Sequence, residues 1–105
     1  MEELDKIIGS LPIIKRDFER QKVMDGIRYK TSMKVNISVD VFEDEIHVQC
    51  FYFEFHSDRK IKKDDFLKIE DKNTLIKLCI QDGCDFIAEN IKKPIFLLPF
   101  INRNK

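Results

Sequence analysis

An excess of charge of either sign is what this sequence most plainly lacks. Nineteen Lys and Arg residues balance nineteen Asp and Glu, so the formal net charge is zero. A neutral chain has no long-range field to draw it onto nucleic acid or an anionic membrane surface, and it lacks the self-repulsion that opposes self-association. Glycine is scarce as well: there are three, all isolated, so no glycine-rich loop can cradle a phosphate. Two histidines and three scattered cysteines do not supply three or four metal ligands in a known spacing, and neither a metal nor another cofactor is expected. The cysteines are odd in number with no CxxC pair, which points to free thiols in a reducing, cytoplasmic setting. No apolar run approaches the roughly 18 residues of a membrane span. The longest, Ile95 to Ile101, is broken by Pro99. The acidic opening, Glu2, Glu3 and Asp5, is unlike a signal peptide.

What the chain does have is enough apolar material for one core: 105 residues, 43% hydrophobic and 36% charged, suited to a single domain over residues 1–105. The most patterned stretch is Met33 to Phe55. Met33, Val35, Ile37, Val39 and Val41 alternate with polar residues, the mark of a strand with one buried face. From Ile46 the even positions Ile46, Val48, Cys50 and Tyr52 are apolar, and then Phe51, Phe53 and Phe55 make the odd positions apolar too. Two long strands, about 27–42 and 46–55, joined at the acidic tip Glu43-Asp44-Glu45, are therefore expected. A turn at Asp44-Glu45 sets Val41 opposite Val48, Val39 opposite Cys50 and Ile37 opposite Tyr52; a slip by one residue would mix the faces. The row Phe51, Phe53, Phe55 would form an apolar patch of a size that monomers seldom leave in water.

Leu4, Ile7, Ile8 and Leu11 have helical spacing, so the chain opens with a helix from about Glu2 to Gly9. Ser10 and Pro12 then suit the start of a second helix. Residues 14–24 are ambiguous: Asp25-Gly26 closes either a helix or a strand pair, and the poverty of strand formers in Asp17 to Lys22 favours helix. His56 to Lys63 reads as a polar connection, followed by a short helix at Phe66 to Glu70 or by a further strand. Residues Asn73 to Lys93 place Leu75, Ile76, Cys79, Ile80, Gly83, Cys84, Phe86, Ile87 and Ile91 on one half of a helical wheel, with only Leu78 out of place. A helix of about 74–92 packed on a sheet follows, capped by Asn73 or Thr74 and stopped by Pro94, with Gly83 in close approach to a neighbour. The run Leu75 to Asp85, with Ala88 and Asn90, resembles the second half of an ankyrin repeat, a family in which the helix would stop at the glycine. The first-helix signature is missing upstream and there is no second copy, so no repeat architecture is implied. The tail Pro94 to Ile101 suits an edge strand or an extended cover.

The expected fold is α+β: an antiparallel sheet built on the long hairpin, the C-terminal helix on its Val35–Val41 face, and the N-terminal helices over part of the phenylalanine face. Catalytic chemistry is hard to find. His47 and Cys50, three apart on a strand, point to opposite faces. His56, Ser57 and Asp58 are neighbours, whereas hydrolytic triads converge from distant positions. No enzyme is expected; a site drawn from Asp40, His47, His56 and Asp58 would require those residues to meet in space. The leading expectation is a small protein that binds another protein, as inhibitors, immunity proteins and adaptors do, with a homodimer as a second candidate assembly. Phe51, Phe53 and Phe55 would supply the apolar centre, and Glu43, Asp44 and Glu45 the charged rim. The alternative is a nucleic-acid-binding regulator using Arg16, Arg20, Arg59, Lys60, Lys62 and Lys63, which requires the two basic clusters, 15–22 and 59–63, to form one face.

Overall fold

In the computed structural model, residues 1–92 are described. The tail from Pro94, expected as an edge strand or cover, lies outside them. The chain begins with two short helices, α1 (Glu2–Ser10) and α2 (Pro12–Asp17). Five strands follow, β1 (Glu19–Val23), β2 (Gly26–Lys30), β3 (Asn36–Val41), β4 (Glu45–Tyr52) and β5 (Phe55–Lys62). Two helices close the described region, α3 (Lys63–Lys68) and α4 (Lys72–Lys92). The strands form one antiparallel meander in sequence order. The fold is thus α+β, with N-terminal helices and a long C-terminal helix on an antiparallel sheet.

Within that class the hairpin differs from expectation in three ways. Its tight turn is Glu43-Asp44, which pairs Val41 with Ile46, Val39 with Val48 and Ile37 with Cys50. The expected register is displaced by two residues. Because a two-residue shift preserves side-chain parity, the buried face comes out the same. Second, residues 27–42 are not one strand. Thr31 N–H donates to the Ile37 carbonyl and Met33 N–H to Thr31 Oγ1, so a compact connection turns β2 into β3. Third, residues 46–55 turn at Phe53-Glu54, and the expected polar connection beyond them is strand β5.

The ambiguous stretch 14–24 is half helix and half strand, against the helix favoured from its composition. Ile14 belongs to α2, but Glu19 to Val23 pair with Gly26 to Lys30 around Met24-Asp25. Charged residues are poor strand formers in general, yet they suit an edge strand, where they deter further pairing. Gly26 is needed here because a Cβ would run into the Val41 carbonyl oxygen.

Among the described residues all four helices pack on the same face of the sheet, so the expected lid on each side is replaced by a single helical layer. One core joins Leu4, Ile8, Leu11 and Ile14 to Ile27, Tyr29, Val39, Val41, Ile46 and Val48, with Phe66 and Ile76 from α3 and α4. A smaller cluster gathers Ile37, Cys50 and Ile87. Burying a side chain of this kind contributes about 1.5–3 kcal/mol. Along α4 the buried residues are Ile76, Cys79, Gly83 and Ile87, while Leu78 is exposed as expected and Phe86, expected inside, is also exposed. The helix runs through Gly83 without the break an ankyrin repeat would have there. Its cap is Asp71, whose carboxylate accepts from Thr74 N–H at 3.1 Å and Thr74 Oγ1 at 2.8 Å. Asn73 instead accepts from Ile13 N–H in the first turn of α2, at 3.1 Å, tying α2 to α4. The other face carries mainly polar residues, with Ser38 and Asp40 buried by their neighbours and the rings of Phe42 and Phe51 packed on His47 and His56.

Candidate functional site

The three phenylalanines have separate fates. Phe55 opens β5 and is half-buried with Tyr52 against the Ile37–Cys50–Ile87 cluster. Phe51 lies on the solvent face, 36% exposed, its ring stacked on His56 of the next strand with centroids 4.6 Å apart and planes 9° apart. Phe53 is the first residue of the two-residue turn. It is 82% exposed, and its φ of 55° is in the left-handed region. Glycine ordinarily fills such a turn position, since a Cβ is crowded there at a cost of roughly 1–2 kcal/mol. The Tyr52 ring supports it edge-on, centroids 4.6 Å apart. The site therefore forms a protruding tip, with Phe53 at the apex and the Phe51–His56 stack behind it. Met33, in the β2–β3 connection at the same end of the sheet, is 58% exposed.

The acidic residues are not its rim. Glu43 and Asp44 occupy the turn at the other end of β4, eight residues away or about 25 Å along the strand. There Phe42 N–H donates to the Glu45 carbonyl at 2.9 Å, and Asp44 offers its carbonyl to Lys63 N–H at 2.8 Å. The Glu45 carboxylate accepts from His47 at 3.0 Å, and that bond holds the Glu45 carboxyl below its ordinary pKa. An open cleft of 790 Å³ lies between this turn and the start of α3, lined by acids and by Lys62 and Lys63 together.

The basic clusters occupy opposite edges of the sheet. Arg20 lies on β1 at one edge, just after Arg16 in α2, and Arg59, Lys60 and Lys62 lie on β5 at the other edge, four strand spacings or about 19 Å away, while Lys63 opens α3. Several are already engaged by acids: Arg16 with Asp17, Arg20 with Asp5, Arg59 with Asp82 and Lys63 with Glu3.

Of the groups named for catalysis, Asp40 and His47 do face each other across β3 and β4 on the solvent face. Asp40 is only 1% exposed, and its carboxylate accepts from Arg28 Nε and Nη2, each at 2.9 Å. His56 and Asp58 lie further along on β5, beside Phe51 and Gln49. Among the described residues no group of three His, Cys, Asp or Glu could hold a metal. The thiols gather more than spacing along the helix suggests. Cys50 from the sheet has Cys84 and Cys79 of α4 as neighbours. Its own pKa is pushed up to about 12, by burial first and then by the neighbouring Cys84, while burial also raises Cys79. Thiols so disfavoured as thiolates are poor nucleophiles.

The turn at Phe53 had one signal in the sequence. Buried positions run even through Tyr52 and odd from Phe55, a change of phase that a two-residue turn produces. No Gly or Asn marks the place. No protein-family model, no curated protein and no solved structure matches this chain.

Proposed function

We propose that this chain acts by binding another protein, in the manner of an inhibitor, immunity protein or adaptor, through the β4–β5 tip. The observation that carries this reading is Phe53: a large aromatic ring held out in water on a backbone conformation that disfavours it. Neither the exposure nor the dihedral benefits the isolated fold, and strain of this kind clusters at binding and switch sites. Aromatic anchors that fill a partner's pocket dominate interface energetics. Phe51 and His56 broaden the contact, and Met33 extends the apolar end. The complement is a protein surface with an apolar pocket deep enough for one ring. The three free cysteines suit action in a reducing compartment such as the cytoplasm. No helix of the described residues is long and apolar enough to cross a membrane.

A photo-crosslinking residue placed at position 53 of the full chain in its host tests this. A discrete adduct formed from position 53, absent when the same probe replaces Met24 at the opposite end of the sheet, is the expected result. Phe51→Ala should weaken the captured complex, and loss of an anchor ring should cost about 2 kcal/mol or more, close to thirtyfold in affinity. Identical adducts from positions 53 and 24 would remove the site. An adduct with a second copy of the chain would replace a foreign partner by self-association.

A further inference from the structure

The thiols gather where α4 is seated on β4, and the proposed binding tip makes no use of them. Cys50 on β4 fits as a knob into a hole of four helix residues, Ile80, Gly83, Cys84 and Ile87, spaced i, i+3, i+4 and i+7. Its thiol donates to the Ile80 carbonyl at 3.8 Å, the carbonyl that Cys84 N–H takes up in an α-helix. A Cβ on Gly83 would stand 2.6 Å from the same sulfur. Cys84 is thus one wall of the hole that Cys50 fills. After burial, the strongest influence on the Cys50 thiol is Cys84, by charge and by a side-chain hydrogen bond, whereas Cys79 acts by charge alone. Cys79 lies toward β5, beside Ser57 and Arg59. Access differs too. Cys50 and Cys79 are buried, whereas Cys84 is half-buried and opens into a groove of 410 Å³ lined also by Ile13, Phe18 and Met33.

We propose that Cys84 is a site of oxidation by hydrogen peroxide and that Cys50 resolves it, closing a reversible disulfide that fastens α4 to β4. The Cys84 sulfur attacks the peroxide and the O–O bond breaks. One hydroxyl stays on sulfur as a sulfenic acid, and the other leaves as water with the thiol proton. The Cys50 sulfur then displaces the sulfenic hydroxyl, which leaves as a second water with the Cys50 proton. Two thiols and one peroxide thereby give one disulfide and two waters. Burial makes Cys50 a weak nucleophile toward reagents in solution, but a sulfur held against the sulfenic acid reacts as an intramolecular group. In a reducing compartment such a bond is transient and acts as a sensor, and a dithiol reductant, itself oxidised to a disulfide, returns both thiols. None of this depends on the tip having a partner.

Hydrogen peroxide in slight excess over the full chain at micromolar concentration, followed by alkylation, proteolysis and mass spectrometry, tests the pair. The expected product is an intramolecular link whose fragment ions assign Cys84, not Cys79, as the partner of Cys50. The same treatment in urea is the control. The loops closed by the two pairings differ little in length, so an unfolded chain forms both in comparable amounts. The fold should favour Cys84 by about tenfold or more. Cys50→Ala should leave Cys84 as a sulfenic acid that dimedone captures, while the native chain gives little adduct. A Cys50–Cys79 link, a link between two chains, or a pairing ratio equal in folded and unfolded protein would overturn the proposal. So would a Cys84 that resists peroxide, or one that is oxidised while Cys50 remains a free thiol.

Discussion

Gly83 on α4 lies so close to Cys50 on β4 that a Cβ at position 83 would stand 2.6 Å from the cysteine sulfur. The same Cβ would come within 3.2 Å of Ser57 Oγ on β5. The close seating of α4 on the two strands thus depends on a missing side chain in mid-helix. Alanine would gain about 1 kcal/mol in helix propensity but meet atoms of the sheet, and overpacking of this kind costs about 1–3 kcal/mol. Gly83→Ala should therefore be destabilising by about 1 kcal/mol in urea denaturation. Adding Cys50→Ala, which removes the nearest atom, should recover part of that loss. A double-mutant cycle with no coupling between the two positions would contradict the packing described.

Tyr29 predicts the alkaline limit. Its ring is buried, and its hydroxyl donates to the Asp5 carboxylate, which also accepts from Arg20 Nη2 at 2.8 Å. Burial, then the hydrogen bond to Asp5, pushes the phenol up to about 12. A group with a raised folded pKa contributes stability that is fully present below the unfolded value, near 10, and is lost as pH rises through 12. Stability should fall by about 2–3 kcal/mol across that window. Tyr29→Phe should flatten the fall.

The same cluster sets an acid response of opposite sign. The Arg20 hydrogen bond holds the Asp5 carboxyl below the usual range, against the opposing effect of burial. Its contribution is present above the unfolded carboxylate pKa and is lost as pH drops through the lower folded value. Asp5→Asn should shift the acid unfolding midpoint to higher pH, read by circular dichroism.

Arg28 and Asp40 form a two-pronged pair on the solvent face, and the carboxylate is the buried partner. Arg28→Ala would leave it without its best donors, at a cost of about 1–3 kcal/mol. Arg28→Lys keeps the charge without the fork and should recover only part. Replacing both residues by leucine should return stability close to that of the native chain, because no buried charge remains. Thermal and urea midpoints of the three variants decide this.

Phe53 and Phe66 separate binding from stability. Phe66 is wholly buried, and Phe66→Ala should cost about 3–5 kcal/mol. Phe53→Gly relieves a positive φ while losing the edge contact with Tyr52 and some chain stiffness, effects of about 1 kcal/mol each that oppose one another. Its stability should stay within about 1 kcal/mol of the native chain while partner capture falls. A cooperative loss comparable to Phe66→Ala would make the ring structural.

Local pattern carried much of this fold. Alternation along Ile37 to Val41 and Ile46 to Cys50 specified two paired strands and their buried face, since a pleat allows only two sides. Helical periodicity likewise marked Leu4 to Leu11 and Ile76 to Ile87, and the crowding at Gly83 followed from its place on the inner face. The pairing register and the Phe53-Glu54 turn were less accessible, because parity survives a two-residue shift and neither turn residue is a usual turn former.

The chain alone determined how many apolar faces there would be, because side-chain period and chemistry are local. Only the tertiary structure decided which faces meet. It placed the described helices on one side, sent the basic strand residues to opposite edges, divided Phe51, Phe53 and Phe55 among solvent face, turn and the edge of the core, and brought Cys50 against α4. These outcomes depend on strand order and helix placement, which arise from contacts between residues distant along the chain.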